Sequence, residues 1–446
     1  MTDCATHRMR FETEAALAVE AAFDGGRITS DGGLLWLAKM DEELGLCEAI
    51  SESVPEWRNR RGRHSLASLV RQRVFQIACG YEDQNDSNSL REDPLLKVVC
   101  GSLPESGTDL ASQPTFSRLE NAADWRCCHR IAQAIFELYL RERAEDGAAP
   151  KRVLLDFDAT ADPTHGDQEG SYYHGYYEQH MYHPLVVFDG ESGHLICAVL
   201  RPGNTHASDS AVALLKRIVV GLRERWPEVD IEIRADAGFA VPALYDYCEE
   251  EGILYTVGLI TNPRLEELAR DLLAEAEEAY DREGEKVRLF SEGSYAAASW
   301  EHERRVVYKA EAMEKGENTR FVVSTRRTDD PKELYEFYAR RGESENWIKD
   351  LKLALKADRL SCHRFMANQF RLLLHAAAYW LMDALRRRLV GAGLERMQLD
   401  TLRLTLIKIG GRVRELLRKV RLHLASGHPG QGSWHALSGV FGGVHE

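Results

Sequence analysis

The sequence predicts an α/β protein: a mixed β-sheet flanked by helices, with a β-strand insertion and mainly helical N- and C-terminal regions. Three observations predict it. Apolar residues at helical spacing dominate 1–150. Short β-rich runs then alternate with amphipathic helices over 151–285, which calls for a sheet covered on both faces. A cluster of β-like segments follows at 286–330, after which helix resumes over 331–360 and, in a basic block, over 361–446. With 446 residues, 44% of them hydrophobic, the chain is long enough for several domains.

In order, the N-terminal region offers helices around 40–50 and 66–78. Between and into them runs 57–73, with six arginines and no acid, a candidate phosphate-contacting patch that includes Arg60, Arg61 and Arg63. Ser112 precedes Gln113 and Pro114, a plausible cap and first turn of a further helix. From 152 the run RVLLDFD reads as a strand ending on acids. Strands at 184–189 and 194–200 follow, joined by a turn at 190–193. Helix 208–225, strand 229–236, helix 241–251, strand 253–259 and an acidic helix at 263–280 complete the pattern. Three strands with hairpin links, then alternating helix and strand, is the ribonuclease-H-like order. Four short β segments between 286 and 325 look like a small antiparallel unit. Helix is expected over 332–352 and again from 365 to about 423, where eleven Lys and Arg face four acids across 381–425.

The charge balance, 57 basic against 71 acidic side chains and −14 overall, excludes a protein that coats nucleic acid with one uniform field. It leaves local basic patches open. Nine cysteines without a CxxC fit a reducing, cytoplasmic setting. No apolar run is long enough to span a bilayer, so no membrane partner is expected. Neither GxGxxG nor GxxxxGK[ST] occurs, which disfavours a nucleotide-triphosphate enzyme. His165, His174, His180, His183, His194 and His206 crowd 42 residues, yet without paired cysteines they make a weak zinc site.

The carboxylates carry more. Asp156 and Asp158 lie two apart on one strand and so share a face. Asp236 closes the fourth strand, which lies beside the first in a ribonuclease-H-like sheet. On the helix at 335–352, Tyr338, Arg341, Glu345 and Lys352 fall within a stripe about 60° wide if the helix is straight. Clustered carboxylates are hard ligands suited to Mg²⁺ or Mn²⁺. Two such ions about 3.5–4 Å apart serve in-line phosphodiester displacement.

The spacing Tyr338-(2)-Arg341-(3)-Glu345-(6)-Lys352 resembles the Y-R-E-K signature of DDE transposases. More specifically, LDFDATADPTHGDQEG at 155–170, RPGN at 201–204, RADAGF at 234–239, RGESENWIKDLK at 341–352 and SCHRFMANQFRLLLHAAAY at 361–379 resemble the insertion sequence 1380 family. GYEDQND at 80–86 and SQPTFSRLEN at 112–121 are similar to that family too. The resemblance implies a ribonuclease-H-like core with a β insertion before the final glutamate. It implies a cut-and-paste DNA transposase acting on terminal inverted repeats and on target DNA, as a homodimer when the ends are paired. The catalytic and metal-binding acids it implies are Asp158, Asp236 and Glu345, with Asp156 the alternative to the first. Tyr338, Arg341 and Lys352 would handle DNA near the scissile phosphate, and Arg412, Arg414 and Arg418 join the basic segments as DNA contacts. A bacterial cytoplasmic protein, nucleoid-associated when bound, is the expected setting. The competing readings are a ribonuclease-H-like nuclease and a domesticated, catalytically silent end-binding repressor.

Overall fold

The computed structural model describes residues 8–14, 17–58, 62–144, 148–389, 394 and 397–441. The chain divides into two units, each discontinuous: Met1–Cys127 with Leu353–Lys356 and Ala377–Glu446, and Cys128–Lys352 with Ala357–Ala376.

The second unit holds an eight-stranded sheet. Its strands are β1 (Arg152–Ala159), β2 (Leu185–Asp189), β3 (Leu195–Val199), β4 (Asp230–Ala235), β5 (Leu254–Leu259), β6 (Val287–Tyr295), β7 (Arg304–Met313) and β8 (Gly316–Ser324). The order across the sheet is β6-β7-β8-β5-β4-β1-β2-β3. β4 runs parallel to both β1 and β5, whereas β2 is antiparallel to β1 and β3 to β2. The half β3-β2-β1-β4-β5 is therefore the ribonuclease-H-like arrangement expected from the sequence. β1 is central and buried from Val153 to Phe157, which explains its apolar run broken by Asp156 alone, since both faces are covered. Helices α1 (Ala211–Arg225) and α2 (Pro242–Glu250) connect β3 to β4 and β4 to β5. Each presents a buried stripe, Leu215, Ile218 and Leu222 in α1 and Leu244, Tyr245 and Cys248 in α2.

The insertion differs from its expected form. It has three strands rather than four, and they extend the main sheet: β8 pairs antiparallel with β5, β7 with β8, and β6 with β7. Tyr295, read as the start of a separate strand, is the last residue of β6. α3 (Pro263–Glu283) covers this extension, packing Leu272, Leu273, Ala276 and Tyr280 on Val287, Leu289, Ala310 and Ala312. This small apolar cluster anchors the added strands.

The first unit is helical in its N-terminal part, with helices at Leu34–Leu44, Leu46–Ser53, Leu66–Ala78 and Gln113–Ala122. Ser112 stands at the cap position of the last, but its side chain makes no capping bond. The C-terminal part departs from expectation. Residues 411–424, read as helix, form a β-hairpin of Gly411–Leu416 and Lys419–Leu424, and Ile28–Thr29 adds a third strand. Arg412, Arg414 and Arg418 are thus exposed on a hairpin, not a helix face.

Candidate active site

The acids lie where the strand order puts them. The parallel register sets Arg234 opposite Asp156 and Ala235 opposite Phe157. Asp236 follows one step on, at the level of Asp158. There the chain leaves the sheet. Asp236 caps the single 3₁₀ turn Ala237–Phe239, its Oδ1 accepting from the Gly238 N–H at 2.8 Å. The cap fixes the carboxylate at the sheet end.

Asp158 faces the same region. Arg341 donates from Nη1 to its Oδ2 at 2.9 Å, and the two side chains are 13% and 18% exposed. Burial pushes the Asp158 carboxyl up to about 6; Arg341 opposes this, and the charges of Asp236 and Glu345 add to it. Asp158, Asp236 and Glu345 thus share one electrostatic neighbourhood, with Arg341 as its cation. Asp156 sits differently. It is fully buried, and Arg234 grips it twice, Nε to Oδ1 and Nη2 to Oδ2, both at 2.7 Å. The third Arg234 nitrogen donates to the Phe337 carbonyl at 2.8 Å. Gly190 is needed beside this pair, because a Cβ there would stand 2.6 Å from Asp156 Oδ2.

The helix that carries the third acid is not one straight helix. α4 (Pro331–Ala339) ends before Arg340, α5 (Gly342–Lys349) follows, and Asp350–Ala354 winds as a π-helix. The stripe computed for a straight helix therefore fails at Lys352, because a π turn takes more residues than an α turn. Arg341 still reaches Asp158, Tyr338 lies in the field of Asp236, and exposed Glu345 in that of Asp158. Lys352 is turned to the exit of β1, where its Nζ donates to Thr160 Oγ1 at 3.0 Å and to the Ala161 carbonyl. Trp347 fixes α5 on the sheet, its ring 5.5 Å from Phe188 and close against Gly193.

Sequence reasoning missed two supports. A Cβ at Gly258 would fall 2.4 Å from Tyr338 Oη and 3.2 Å from the Ala237 nitrogen, so a glycine on β5 makes room for the phenol. Nothing local in TVGLI announces that. Arg234 was visible as a charge in an alternating strand, but its partner two strand positions before the candidate acid was not.

The basic segments sort into two kinds. Of the six arginines at 57–73, Arg60 and Arg61 lie outside the described residues. Arg58 pairs with Glu56, Arg71 with Asp41, and buried Arg73 with Glu120, so these three are structural. Arg63 is exposed. On the hairpin, Arg414 stands directly opposite Arg421 and Arg412 opposite His423, all with exposed side chains. Like charges placed opposite one another cost stability until an anion neutralises them.

The histidines make local bonds instead of a centre: His183 Nδ1 to the Thr205 carbonyl at 2.8 Å, His194 Nδ1 to Ser192 Oγ at 2.9 Å, and His206 Nδ1 to Ser208 Oγ at 2.8 Å. Among the described residues no three His, Cys, Asp or Glu side chains stand close enough to hold a metal ion together. At Asp158 the positive charge comes from Arg341.

Fold and site together define a ribonuclease-H-like protein with carboxylates gathered at the ends of its first and fourth strands. The model of the family described as transposase DDE domain group 1 matches residues 11–440, and the chain belongs to that family. It is a DDE-type transposase, a family of nucleases and strand transferases that generally use divalent metals. Among solved structures, the chain is similar to the piggyBac transposase in its synaptic complex with hairpin DNA, at 11% identity and a TM-score of 0.43, covering 85% of this chain and 80% of that one. No curated protein sequence matches it. Among the described residues no helix is long and apolar enough to cross a membrane.

Proposed function

We propose that this transposase serves an insertion sequence, cleaving DNA at the terminal inverted repeats of its own element and joining the freed 3′ ends to target DNA, as a homodimer that holds two ends. The observation that supports the reading is that Asp158 on β1 lies in the electrostatic field of Asp236, from the end of β4, and of Glu345, from α5. Their donor chemistry suits a hard divalent ion, since all three are carboxylates and buried Asp158, crowded by two like charges, ionises best beside a cation; such an ion would have to draw the three closer together than they stand here. Mg²⁺ or Mn²⁺ held there would supply positive charge to the phosphate oxygens of an in-line displacement. The remaining work falls to the chain. Arg341 presents a planar fork that suits a phosphate as well as it suits Asp158. Tyr338 lies in the field of Arg341 and Asp236, and Lys352 braces the loop after β1 so that Asp158 keeps its aim. We assign Asp158 rather than Asp156 as the first acid, because Asp156 has both oxygens committed to Arg234. Arg63, Arg412, Arg414 and Arg418, with Arg60 and Arg61, would hold the flanking backbone.

Asp158→Asn, Asp236→Asn and Glu345→Gln should each lose strand cleavage of an end duplex while still binding it. A variant that still cuts removes its residue from the set. EDTA should stop cleavage, and Mg²⁺ or Mn²⁺ restore it; turnover in EDTA would sink the metal reading. Reversing Arg412, Arg414 and Arg418 to Glu should weaken end binding and flatten its log–log salt slope by about 0.9 per lost phosphate contact. An unchanged slope would place the DNA path elsewhere.

A further inference from the structure

The segment between β1 and β2 holds a feature that phosphodiester chemistry leaves unused. Asp162–Pro163, Tyr172–His174 and Gln179–Tyr182 form their own three-stranded antiparallel sheet, which begins just past Asp158. Its edge strand and turn carry Tyr172, Tyr173, Tyr176 and Tyr177, exposed by 49%, 56%, 84% and 37%. Strand alternation puts Tyr173 with His180 on one face and Tyr172 with His174 on the other, where Tyr177 and then Tyr176 extend the group. Scattered exposed aromatics need no explanation, but such a group on one face marks a binding surface.

These rings are held, not loose. Tyr176 meets Tyr177 edge-on at 5.0 Å, Tyr177 packs on His174 at 5.1 Å, and Tyr173 on His180 at 5.8 Å. The turn passes through Glu178 at φ 52°, a left-handed conformation that a non-glycine keeps only when its surroundings enforce it. The sheet rests directly on backbone. A Cβ at Gly203 would fall 1.9 Å from the Met181 carbonyl oxygen and 2.6 Å from that of Tyr172. Next to it, buried Arg201 gathers the carbonyls of His183, Ala207 and Asp209 at 2.8 Å each. The spacing of charge and turn in RPGN at 201–204 therefore has a structural purpose here, which is to hold this sheet from behind. At the inner end, Tyr177 packs on His183 at 5.9 Å, three residues before Val186, which pairs with Asp158 across β1 and β2. His174 Nδ1 is buried there without a hydrogen-bond partner.

We propose that this tyrosine sheet is a stacking platform for unpaired nucleobases of the DNA strand whose phosphate lies at Asp158 and Asp236. The inference rests on the transposase reading and deepens it. A strand opened at the scissile phosphate has bases no longer held by a complementary partner. Phenol rings accept the face of any base without demanding sequence, at about tenfold in affinity per stacked base. Their neutrality matters at this position. Arg341 already pairs with Asp158; a further lysine or arginine would compete for the acids, whereas a phenol grips the strand and adds no charge. A protein partner seated on the same rings would cover the entrance to the acids, which argues for nucleic acid as the occupant.

The test compares binding, by fluorescence anisotropy, of a blunt end duplex, the same duplex with a short single-stranded overhang, an overhang of abasic residues, and a short oligothymidylate alone. The wild-type protein should favour the base-bearing overhang over the blunt end by about tenfold, and the abasic overhang should show no such gain. Tyr172→Ala with Tyr176→Ala should bring the overhang-to-blunt ratio near one, while Tyr176→Phe, which keeps the ring, preserves it. Both alanines replace exposed side chains, and a circular dichroism melt checks the fold. An overhang without advantage in the wild type, or an advantage that survives the double alanine variant, overturns the proposal. A change of oligomeric state in that variant with the ratio intact overturns it in favour of a protein interface. If the blunt duplex is not bound at all, the transposase reading fails; oligothymidylate binding that depends on the tyrosines would still support stacking, and its absence would remove that as well.

Discussion

Two carboxylates on one strand, Asp156 and Asp158, have the same residue type, the same face and an arginine each, and both are pushed up to about 6 by burial against the pull of that arginine. They nevertheless do different things. The Asp156–Arg234 pair is closed: both oxygens are bonded, the guanidinium is tied to Phe337, and the side chains are 0% and 2% exposed. The Asp158–Arg341 pair is open: one bond, partial exposure, and two further acids within its field. An ion pair with all its valences used is a structural brace. One with spare acceptors beside like charges is poised to exchange its partner for another cation or an anion.

The comparison can be broken most severely by exchanging the roles. Asp158→Asn should lower strand cleavage by about a thousandfold or more, ~4 kcal/mol, with the unfolding midpoint nearly unchanged. Asp156→Ala should do the reverse to stability, costing about 3–5 kcal/mol in denaturant unfolding, because Arg234 is left charged and buried. Asp156→Leu combined with Arg234→Met should regain much of that loss. If Asp156→Ala folds normally and only cleavage suffers, the two acids have been assigned the wrong way round.

Titration sharpens the same contrast. An unfolded aspartate has a pKa near 3.9, roughly, and both groups sit above it when folded. The folded state then holds protons more tightly, so stability in the presence of a chelator should fall as pH rises from about 4 to about 6, by up to about 3 kcal/mol for one fully expressed site. Asp158→Asn should remove its share and leave that of Asp156. An identical pH profile for wild type and variant would show that Asp158 is not carrying the burial inferred here. The smallest effect concerns the wall of the open site. Gly258→Ala should cost about 1–3 kcal/mol by driving Tyr338 off its position, and Tyr338→Phe in the same chain should recover part of it. Recovery by Tyr338→Phe is the decisive comparison, since a general backbone effect at Gly258 would not respond to a lost hydroxyl.

The core was legible because its signals are local and repeated. RVLLDFD has the apolar run of a strand covered on both faces, and the order of strands and helices specifies which strands are neighbours. That was enough to bring Asp158 and Asp236 to one sheet end. The C-terminal hairpin was not legible: Leu417 and Arg418 make its turn without Gly, Asn or Asp, and the flanking Leu, Lys and Arg residues suit a helix equally well. The break between α4 and α5 had one local signal, Gly342, too weak alone to end a helix, and the π turn beyond was silent, as no proline interrupts 332–354. Charge density alone misled at 57–73, because Arg71 and Arg73 find acids far away in sequence. Ion pairing between distant residues has no period to detect.

Neither unit is a continuous piece of chain, and this bears on how the protein comes into being during synthesis. The first unit needs Ala377–Glu446 as well as its N-terminal helices, and the acids of the second become a set only when α5 has been made. β1 must wait for β4 before it gains its parallel neighbour, a contact of long loop closure. A nascent chain leaving the ribosome therefore carries Asp158 and Asp236 for a long interval without Glu345. A product terminated before Ala376 is incomplete in both units at once, whereas one terminated beyond it lacks part of the first unit alone.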